Sequence, residues 1–169
     1  MRLFIAIKIV PNPELYDVLS KLGTYGKAVG VENIHLTLKF LGEVMDPSKI
    51  ISSLELIKFK SFDLELRGMG AFPNERKARI LFLRAFPEDI LSSLADETDI
   101  ATKEISRDHP FTPHITLLRI RNYADLKNII DEYKNKYFLK QKVDHFSLFK
   151  SILTPKGPIY EELKKFQLI

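Results

Sequence analysis

Two short segments of the chain repeat the pattern His-x-Thr-Leu, and they carry the side chains best suited to chemistry. The first contains His35 and Thr37, and the second contains His114 and Thr116. Both lie within runs of apolar and β-branched residues, which favour extended strands. Because successive side chains of a strand point to opposite faces, each histidine shares a face with the threonine two residues later. Each strand therefore buries aliphatic side chains on one face and presents an imidazole and a hydroxyl on the other.

A pair of such strands could carry out general acid–base catalysis at a phosphate. Imidazole titrates near pH ~6.5, so one histidine can act as a neutral base and the other as a charged acid. In-line displacement at phosphorus needs a base on the incoming oxygen and an acid on the leaving oxygen, and the two hydroxyls could hold the remaining oxygens. A lone histidine on a strand is more often structural. Matching histidines and threonines are harder to explain by packing, since aliphatic side chains would pack without a buried polar cost.

A metal site is the competing interpretation of the two histidines. Zinc usually takes three or four protein ligands, whereas each motif supplies one histidine followed by a threonine. The chain contains no cysteine, and the carboxylates of Asp108 and Asp144 are available but have no supporting spacing. We therefore expect neither a metal nor another cofactor.

The two motifs belong to an internal duplication of the chain. Corresponding positions are separated by 77 to 82 residues, which is longer than the period of solenoid repeats. Two copies of a half-domain commonly pack about a pseudo-twofold axis, which would bring the motif faces together across a cleft. We expect a single domain over residues 1–169, with lobes at 1–73 and 78–155 and a C-terminal segment at 156–169. The corresponding pairs are Leu3 and Ile80, His35 and His114, and Pro73 and Pro155.

Hydrophobic periodicity predicts the same order in both halves, namely strand, helix, strand, helix, strand. The first helix opens at Pro13 and carries an apolar stripe at i, i+3, i+4 and i+7. Asp46 and Pro47 begin the second helix, and Pro87 begins the third. The predicted strands lie at 3–10, 33–41, 62–67, 78–85, 114–120 and 143–153.

Three further expectations concern the second half and the C-terminus. Asn122 is expected to cap a fourth helix, with Asp125 three residues later. The segment from Tyr160 onward could be an edge strand or a short helix. A group of lysines is interpreted as a solvated face, with RNA contact as the alternative; its members are Lys134, Lys136, Lys140 and Lys142.

Composition and charge narrow the class of protein. With 169 residues, 45% hydrophobic and 28% charged, the chain is typical of a globular protein, and its net charge of +4 is weak support for an anionic ligand. The apolar start is interrupted by Lys8 and followed by Pro11 and Pro13, so a buried strand is favoured over a signal sequence. No run approaches the ~20 apolar residues of a membrane span. We therefore expect a cytoplasmic protein that does not bind membranes.

The sequence around both motifs resembles the 2H phosphoesterases. The residues that carry the likeness are HLTLKFLGE at 35–43 and PFTPHITL at 110–117. Further likeness lies at 2–7, 70–74 and 146–151, with the turn at 154–158, so it spans nearly the whole chain. The most similar branch is the bacterial and archaeal RNA 2′,3′-cyclic phosphodiesterases, historically called 2′-5′ RNA ligases.

The resemblance implies a bilobal α+β fold with two mainly antiparallel sheets lining a central cleft. It also implies metal-independent hydrolysis of a terminal 2′,3′-cyclic phosphate on RNA, including tRNA fragments, to a 2′-phosphate, by a monomer. By the family's pattern, His35 is the proton donor to the leaving 3′ oxygen and His114 is the proton acceptor from water. Thr37 and Thr116 hold phosphoryl oxygens. The four residues alone leave the polarity of the two histidines open.

Two positions next to the motifs are asymmetric. Arg119 matches an arginine of the second signature that pairs with phosphate, but strict alternation places it opposite His114, so a bulge or strand end is needed; a surface arginine is the alternative. The first half carries Phe40 at the corresponding position, which suggests stacking with a base. Phe4 is a weaker stacking candidate, with core packing as the alternative. His109 and His145 are interpreted as surface residues.

Two other functions remain open at this point. Ligation of tRNA-half-like RNAs through a 2′-5′ linkage is the reverse reaction at the same site, so no residue distinguishes it from hydrolysis. A binding module for RNA or nucleotides that has lost catalysis is the other, although the intact histidines and threonines argue against it.

Overall fold

Two antiparallel β-sheets and four α-helices make up the fold in the computed structural model, which describes residues 1–169. This confirms the expected α+β class. The strands are β1 (Arg2–Lys8), β2 (Lys27–Ala28), β3 (His35–Glu43), β4 (Phe62–Pro73), β5 (Ala78–Phe86), β6 (His114–Ala124), β7 (Tyr137–Val143), β8 (His145–Thr154) and β9 (Gly157–Gln167). The helices are α1 (Pro13–Leu22), α2 (Ser48–Leu54), α3 (Glu88–Ala101) and α4 (Lys127–Glu132), and a 3₁₀ turn spans Val31–Asn33.

The first strand and helix form as their sequences predict. Five consecutive residues of β1 are buried, so the apolar start is a central strand covered on both faces. The amide of Leu15 donates a 2.9 Å hydrogen bond to Oδ1 of Asn12, which caps α1 directly before Pro13. The apolar stripe of α1 is buried throughout; it consists of Leu15, Val18, Leu19 and Leu22.

Each sheet takes two of its strands from the other half of the sequence. The first sheet has the order β3-β1-β8-β9 and the second has the order β2-β6-β5-β4-β7. β4 comes from the first half but pairs with β5, and β8 comes from the second half but pairs with β1. Each sheet therefore contains strands from both halves of the sequence. A single cluster of 35 buried apolar residues draws on both sheets, so they share one core.

Three local features differ from the predicted elements, two of them in the second half and one in β4. β6 continues to Ala124, so Asn122 lies in a strand rather than at a helix cap, and α4 begins at Lys127. The lysine-rich segment includes β7, which pairs with β4; alternating lysines on an edge strand hid its β character. β4 also runs further than expected, through Gly68 at φ +71. The C-terminal segment is the edge strand β9, one of its two expected forms.

A buried lysine fastens the end of α3 to the first sheet. The side chain of Lys39 is fully buried, and its Nζ donates to the main-chain oxygens of Thr102 (3.2 Å) and Ile105 (2.6 Å). The same Nζ lies 2.6 Å from Oδ1 of Asp99, and this hydrogen bond lowers the pKa of that carboxyl. Lys39 thereby positions the segment that leads from α3 to His114.

Replacing Lys39 with methionine is expected to destabilise the protein by about 2–4 kcal/mol, because the main-chain oxygens of Thr102 and Ile105 lose their donor. Denaturant unfolding measures this change. Lys49→Met is the matched control, since Lys49 forms an ion pair with Glu104 in which both side chains are more than two-thirds exposed. The control is expected to change stability little. Equal stability of Lys39→Met and the wild type would show that the buried lysine does not hold α3.

None of the helices combines the length and the apolar character needed to cross a membrane.

Candidate active site

The two motif histidines occupy equivalent places at the starts of two strands. β3 begins at His35 and β6 begins at His114. In each case Nδ1 donates a hydrogen bond to the main-chain oxygen two residues earlier, at 2.7 Å to Asn33 and at 2.6 Å to Thr112. Because Nδ1 carries the proton, Nε2 of the neutral ring keeps a free lone pair. Both rings are therefore held in the tautomer that lets Nε2 accept a proton, or donate one when charged.

A β-bulge in β6 brings Arg119 to the face of the motif. Thr116 is paired with Phe82, but Leu118 is already paired with Leu81, so β6 contains one extra residue. Leu117 and Leu118 are consecutive and both fully buried. The alternation restarts after them, and Arg119 emerges with the polar residues. The bulge required by the sequence is present.

β3 contains the same bulge at the equivalent place. Thr37 is paired with Ala6, whereas Lys39 is paired with Ile5. Leu38 and Lys39 are both buried, and Phe40 emerges on the face of the motif. The two halves therefore present an aromatic ring and a guanidinium at the same position, which is the asymmetry expected from the sequence.

The two histidines share the same electrostatic neighbours. Burial lowers the pKa of His35 most, and the charges of Arg119 and His114 lower it further, against the hydrogen bond to Asn33. Burial also lowers the pKa of His114 most, with further lowering by His109 and Arg119. Arg119 thus acts on histidines of two different sheets. Both imidazoles therefore favour the neutral form, and a bound anion would favour the charged form.

Each histidine ring is backed by two aromatic rings. The centroid of His35 lies 5.0 Å from Phe4 and 5.2 Å from Tyr160. The ring of the second histidine lies 5.2 Å from Phe72 and 5.3 Å from Phe82. These contacts restrict both imidazoles to one orientation. The sequence did not indicate Phe72, Phe82 or Tyr160 as neighbours of the site.

Of the two stacking candidates, the structure leaves only Phe40 accessible. Phe40 is 50% exposed, whereas Phe4 is 4% exposed. Phe4 packs 5.4 Å from Phe149 and 6.3 Å from Phe40. Its expected role in stacking is therefore corrected: its ring is enclosed, and it supports His35 and Phe40 from below.

A glycine on β4 makes room for the ring behind His114. A Cβ atom added at Gly70 would lie 2.6 Å from Cζ and 2.7 Å from Cε2 of Phe82. Phe82 is only 7% exposed and stacks 4.4 Å from Phe72, so its ring has little freedom to move away from a new methyl group. The absence of a side chain at Gly70 therefore sets the position of His114 indirectly.

Gly70→Ala is expected to lower the turnover number about tenfold, because the displaced ring shifts His114, and to destabilise the protein by about 1–3 kcal/mol through overpacking. Steady-state kinetics and thermal unfolding measure the two effects. Adding Phe82→Leu to Gly70→Ala should restore part of the stability. Gly23→Ala is the control, since its Cβ would meet only a main-chain oxygen 3.9 Å away. Wild-type kinetics of Gly70→Ala would exclude this role of Phe82.

The remaining histidines lie outside the pair. Nδ1 of His109 is 2.6 Å from Asp108, and Nδ1 of His145 is 2.6 Å from Asp144. Each of these carboxylates therefore pairs with its neighbour in sequence. No group of three or more His, Cys, Asp or Glu side chains is arranged to hold a metal ion.

Comparison with known proteins agrees with this geometry. A family model described as LigT-like phosphoesterase matches residues 9–82 and 85–160. The chain belongs to this family. The expected resemblance to the 2H phosphoesterases is thereby confirmed, and so is the expected class of enzyme.

Relatives of this LigT-like phosphoesterase match along their full length. A protein of Archaeoglobus fulgidus named RNA 2′,3′-cyclic phosphodiesterase is 36% identical, and the alignment covers 99% of this chain and all of the relative. A protein of the same name from Methanocaldococcus jannaschii is 32% identical over 98% of this chain and all of the relative.

Solved structures support the same assignment. TT0787 of Thermus thermophilus superposes with a TM-score of 0.81 at 33% identity, covering 99% of this chain and 97% of that protein. Escherichia coli LigT in complex with 3′-AMP superposes with a TM-score of 0.80 at 26% identity, with the same coverage. The arrangement of two sheets is therefore common to the family.

Proposed function

We propose that this protein hydrolyses terminal 2′,3′-cyclic phosphates of RNA to 2′-phosphates without a metal ion. The observation that carries the proposal is the equivalent presentation of His35 and His114, each with Nδ1 bound to a main-chain oxygen and Nε2 free. The charge of Arg119 lowers the pKa of both rings, which supports this arginine as the cation that binds the phosphate. The names of the archaeal relatives support RNA with a cyclic phosphate end as the substrate.

The reaction proceeds by one displacement at phosphorus. Nε2 of His114 takes a proton from water, and the water oxygen attacks the phosphorus. The bond from phosphorus to the 3′ oxygen breaks, and protonated His35 gives its Nε2 proton to that oxygen. The product carries a 2′-phosphate and a 3′-hydroxyl. Positioned acid and base catalysis contribute about 10²–10⁴-fold each.

The other residues on this face hold the substrate. Thr37 and Thr116 donate hydrogen bonds to phosphoryl oxygens, and the guanidinium of Arg119 stabilises their negative charge. Phe40, which is half exposed, offers a surface on which the terminal base can stack. All of these groups come from one chain whose sheets share one core. We therefore propose a single domain over residues 1–169 that acts as a monomer, with tRNA fragments among its substrates.

Product analysis tests the proposed function. A short RNA that ends in a 2′,3′-cyclic phosphate is incubated with the protein in EDTA, and the products are separated by chromatography against 2′-phosphate and 3′-phosphate standards. We expect the 2′-phosphate alone. A 3′-phosphate product would reverse the assignment of the leaving oxygen, and an unreacted cyclic end would contradict the proposed hydrolysis. Adding an RNA with a free 5′-hydroxyl to the same reaction tests the ligation alternative.

A further inference from the structure

The hairpin of β8 and β9 folds back over the first sheet and contacts Asn33, the residue that accepts the hydrogen bond from His35. β3 and β9 are the opposite edges of this sheet, yet Nδ2 of Asn33 donates a 2.9 Å hydrogen bond to the main-chain oxygen of Pro158. The main-chain oxygen of the same Asn33 accepts the hydrogen bond from His35. The sheet is therefore curled, and the start of β9 is fastened beside the candidate active site.

Tyr160 is the residue that this curling brings into the site. Its ring meets His35 edge-on, with centroids 5.2 Å apart and planes at 88°. It meets Phe4 in the same manner at 4.9 Å and 73°. The residue is half-buried, and its hydroxyl is the only one among the four aromatic side chains that back the two histidines. This makes the surroundings of His35 chemically different from those of His114.

The hydroxyl of Tyr160 makes no hydrogen bond to another protein group, and its ring lies against His35. Burial raises its pKa, while the charges of Arg119 and Arg2 act in the opposite direction, and no hydrogen bond contributes. Arg2 lies in the same row of the sheet, because Arg2 and Tyr160 both pair with Ser151. Tyr160 is thus a neutral phenol with an available proton, beside His35, and the charge of Arg119 acts on it as on both histidines.

We propose that the hydroxyl of Tyr160 donates a hydrogen bond to a phosphoryl oxygen of the bound substrate, beside Arg119. A phenol without a partner next to an anion-binding cation is suited to this contact, which a bound phosphate would complete. Tyr160 is then a substrate-binding residue on the side of His35, in addition to the two threonines. This inference deepens the proposed function and rests on its assignment of the phosphate site.

Tyr160→Phe separates the hydroxyl from the ring, because phenylalanine keeps the packing on His35 and Phe4. We expect Tyr160→Phe to lower kcat/KM on the cyclic-phosphate RNA about tenfold and to weaken calorimetric binding of inorganic phosphate by a similar factor, with an unchanged melting temperature. Tyr160→Ala should lose more activity and also shift the pH profile upward, since His35 would be less buried. Tyr16→Phe is the control, because Tyr16 is 51% exposed on α1.

Wild-type kinetics and phosphate binding in Tyr160→Phe, with a defect only in Tyr160→Ala, would overturn the proposal and leave Tyr160 as packing alone. The two proposals fail separately. A wild-type protein that does not hydrolyse the RNA contradicts the proposed function, whereas the comparison of phosphate binding between wild type and Tyr160→Phe still decides the role of the hydroxyl.

Discussion

His35→Ala and His114→Ala are each expected to lower the turnover of cyclic-phosphate RNA by about 10²–10⁴-fold, because each variant loses one of the two proton transfers. In the proposed mechanism Nε2 is the reacting atom of both rings, and alanine offers no substitute for it. Single-turnover kinetics with saturating protein measure the chemical step directly. Combining the two substitutions is expected to cost less than the product of the single effects, since the groups act as a unit.

His145→Ala is the matched control for this experiment. It removes the same side chain from β8, where the ring is paired with Asp144 rather than directed at the site. Its turnover should equal that of the wild type. Wild-type turnover in either motif variant would contradict the two-histidine mechanism. Thermal unfolding checks that a loss of turnover does not come from a loss of the fold.

Arg119→Gln is expected to have the next largest effect, a fall in kcat/KM of about 10–100-fold. The charge of the guanidinium lowers the pKa of both histidines, and the group would make charge-assisted hydrogen bonds to the phosphate. Glutamine keeps much of the length and polarity but lacks the charge. Steady-state kinetics on the same RNA measure the change.

The pH dependence of Arg119→Gln provides a second readout with a definite sign. The profile of kcat/KM reports the pKa values of the free enzyme. In the wild type both histidine pKa values are lowered from 6.5. We therefore expect a bell-shaped profile of kcat/KM against pH, with both limbs on the acid side of 6.5. Removing the cation raises the pKa of both imidazoles, because their protonated forms are no longer repelled by Arg119. Both limbs of the profile should therefore move to higher pH.

Arg76→Gln is the control for the loss of an arginine. Its guanidinium lies 3.6 Å from Asp125, both side chains are more than half exposed, and its effect on kinetics should be small. A fall in kcat/KM without a shift of the limbs would indicate that Arg119 binds substrate without acting on the histidines. An unchanged kcat/KM would contradict its role at the phosphate.

Features that depend on local pattern could be predicted from the sequence. The two His-x-Thr strands, the stripe of α1 and the breaks at proline follow from side-chain periodicity and turn chemistry. The need for a bulge before Arg119 also followed, because strict alternation conflicted with its expected role. The structure resolves this conflict by burying Leu117 and Leu118 together.

Features that depend on the pairing of distant strands could not be predicted. The exchange of β4 and β8 between the sheets leaves no trace in local periodicity, since each strand has one buried face in either sheet. Tyr160 was missed for the same reason, because only the curling of the sheet brings β9 to His35. Stacking of a base on Phe4 was kept as a candidate beside core packing because the sequence does not reveal that Tyr160 and Phe149 cover its ring.

The most direct test of the mechanism replaces the leaving 3′ oxygen of the cyclic phosphate with sulfur. A thiolate leaves without prior protonation, so the proton from His35 is no longer needed, whereas water must still be activated by His114. We predict that His35→Ala hydrolyses the 3′-sulfur substrate at nearly the wild-type rate and that His114→Ala remains as slow as on the normal RNA. Rescue of His114→Ala instead, or of neither variant, would contradict the assignment of His35 as the acid and His114 as the base.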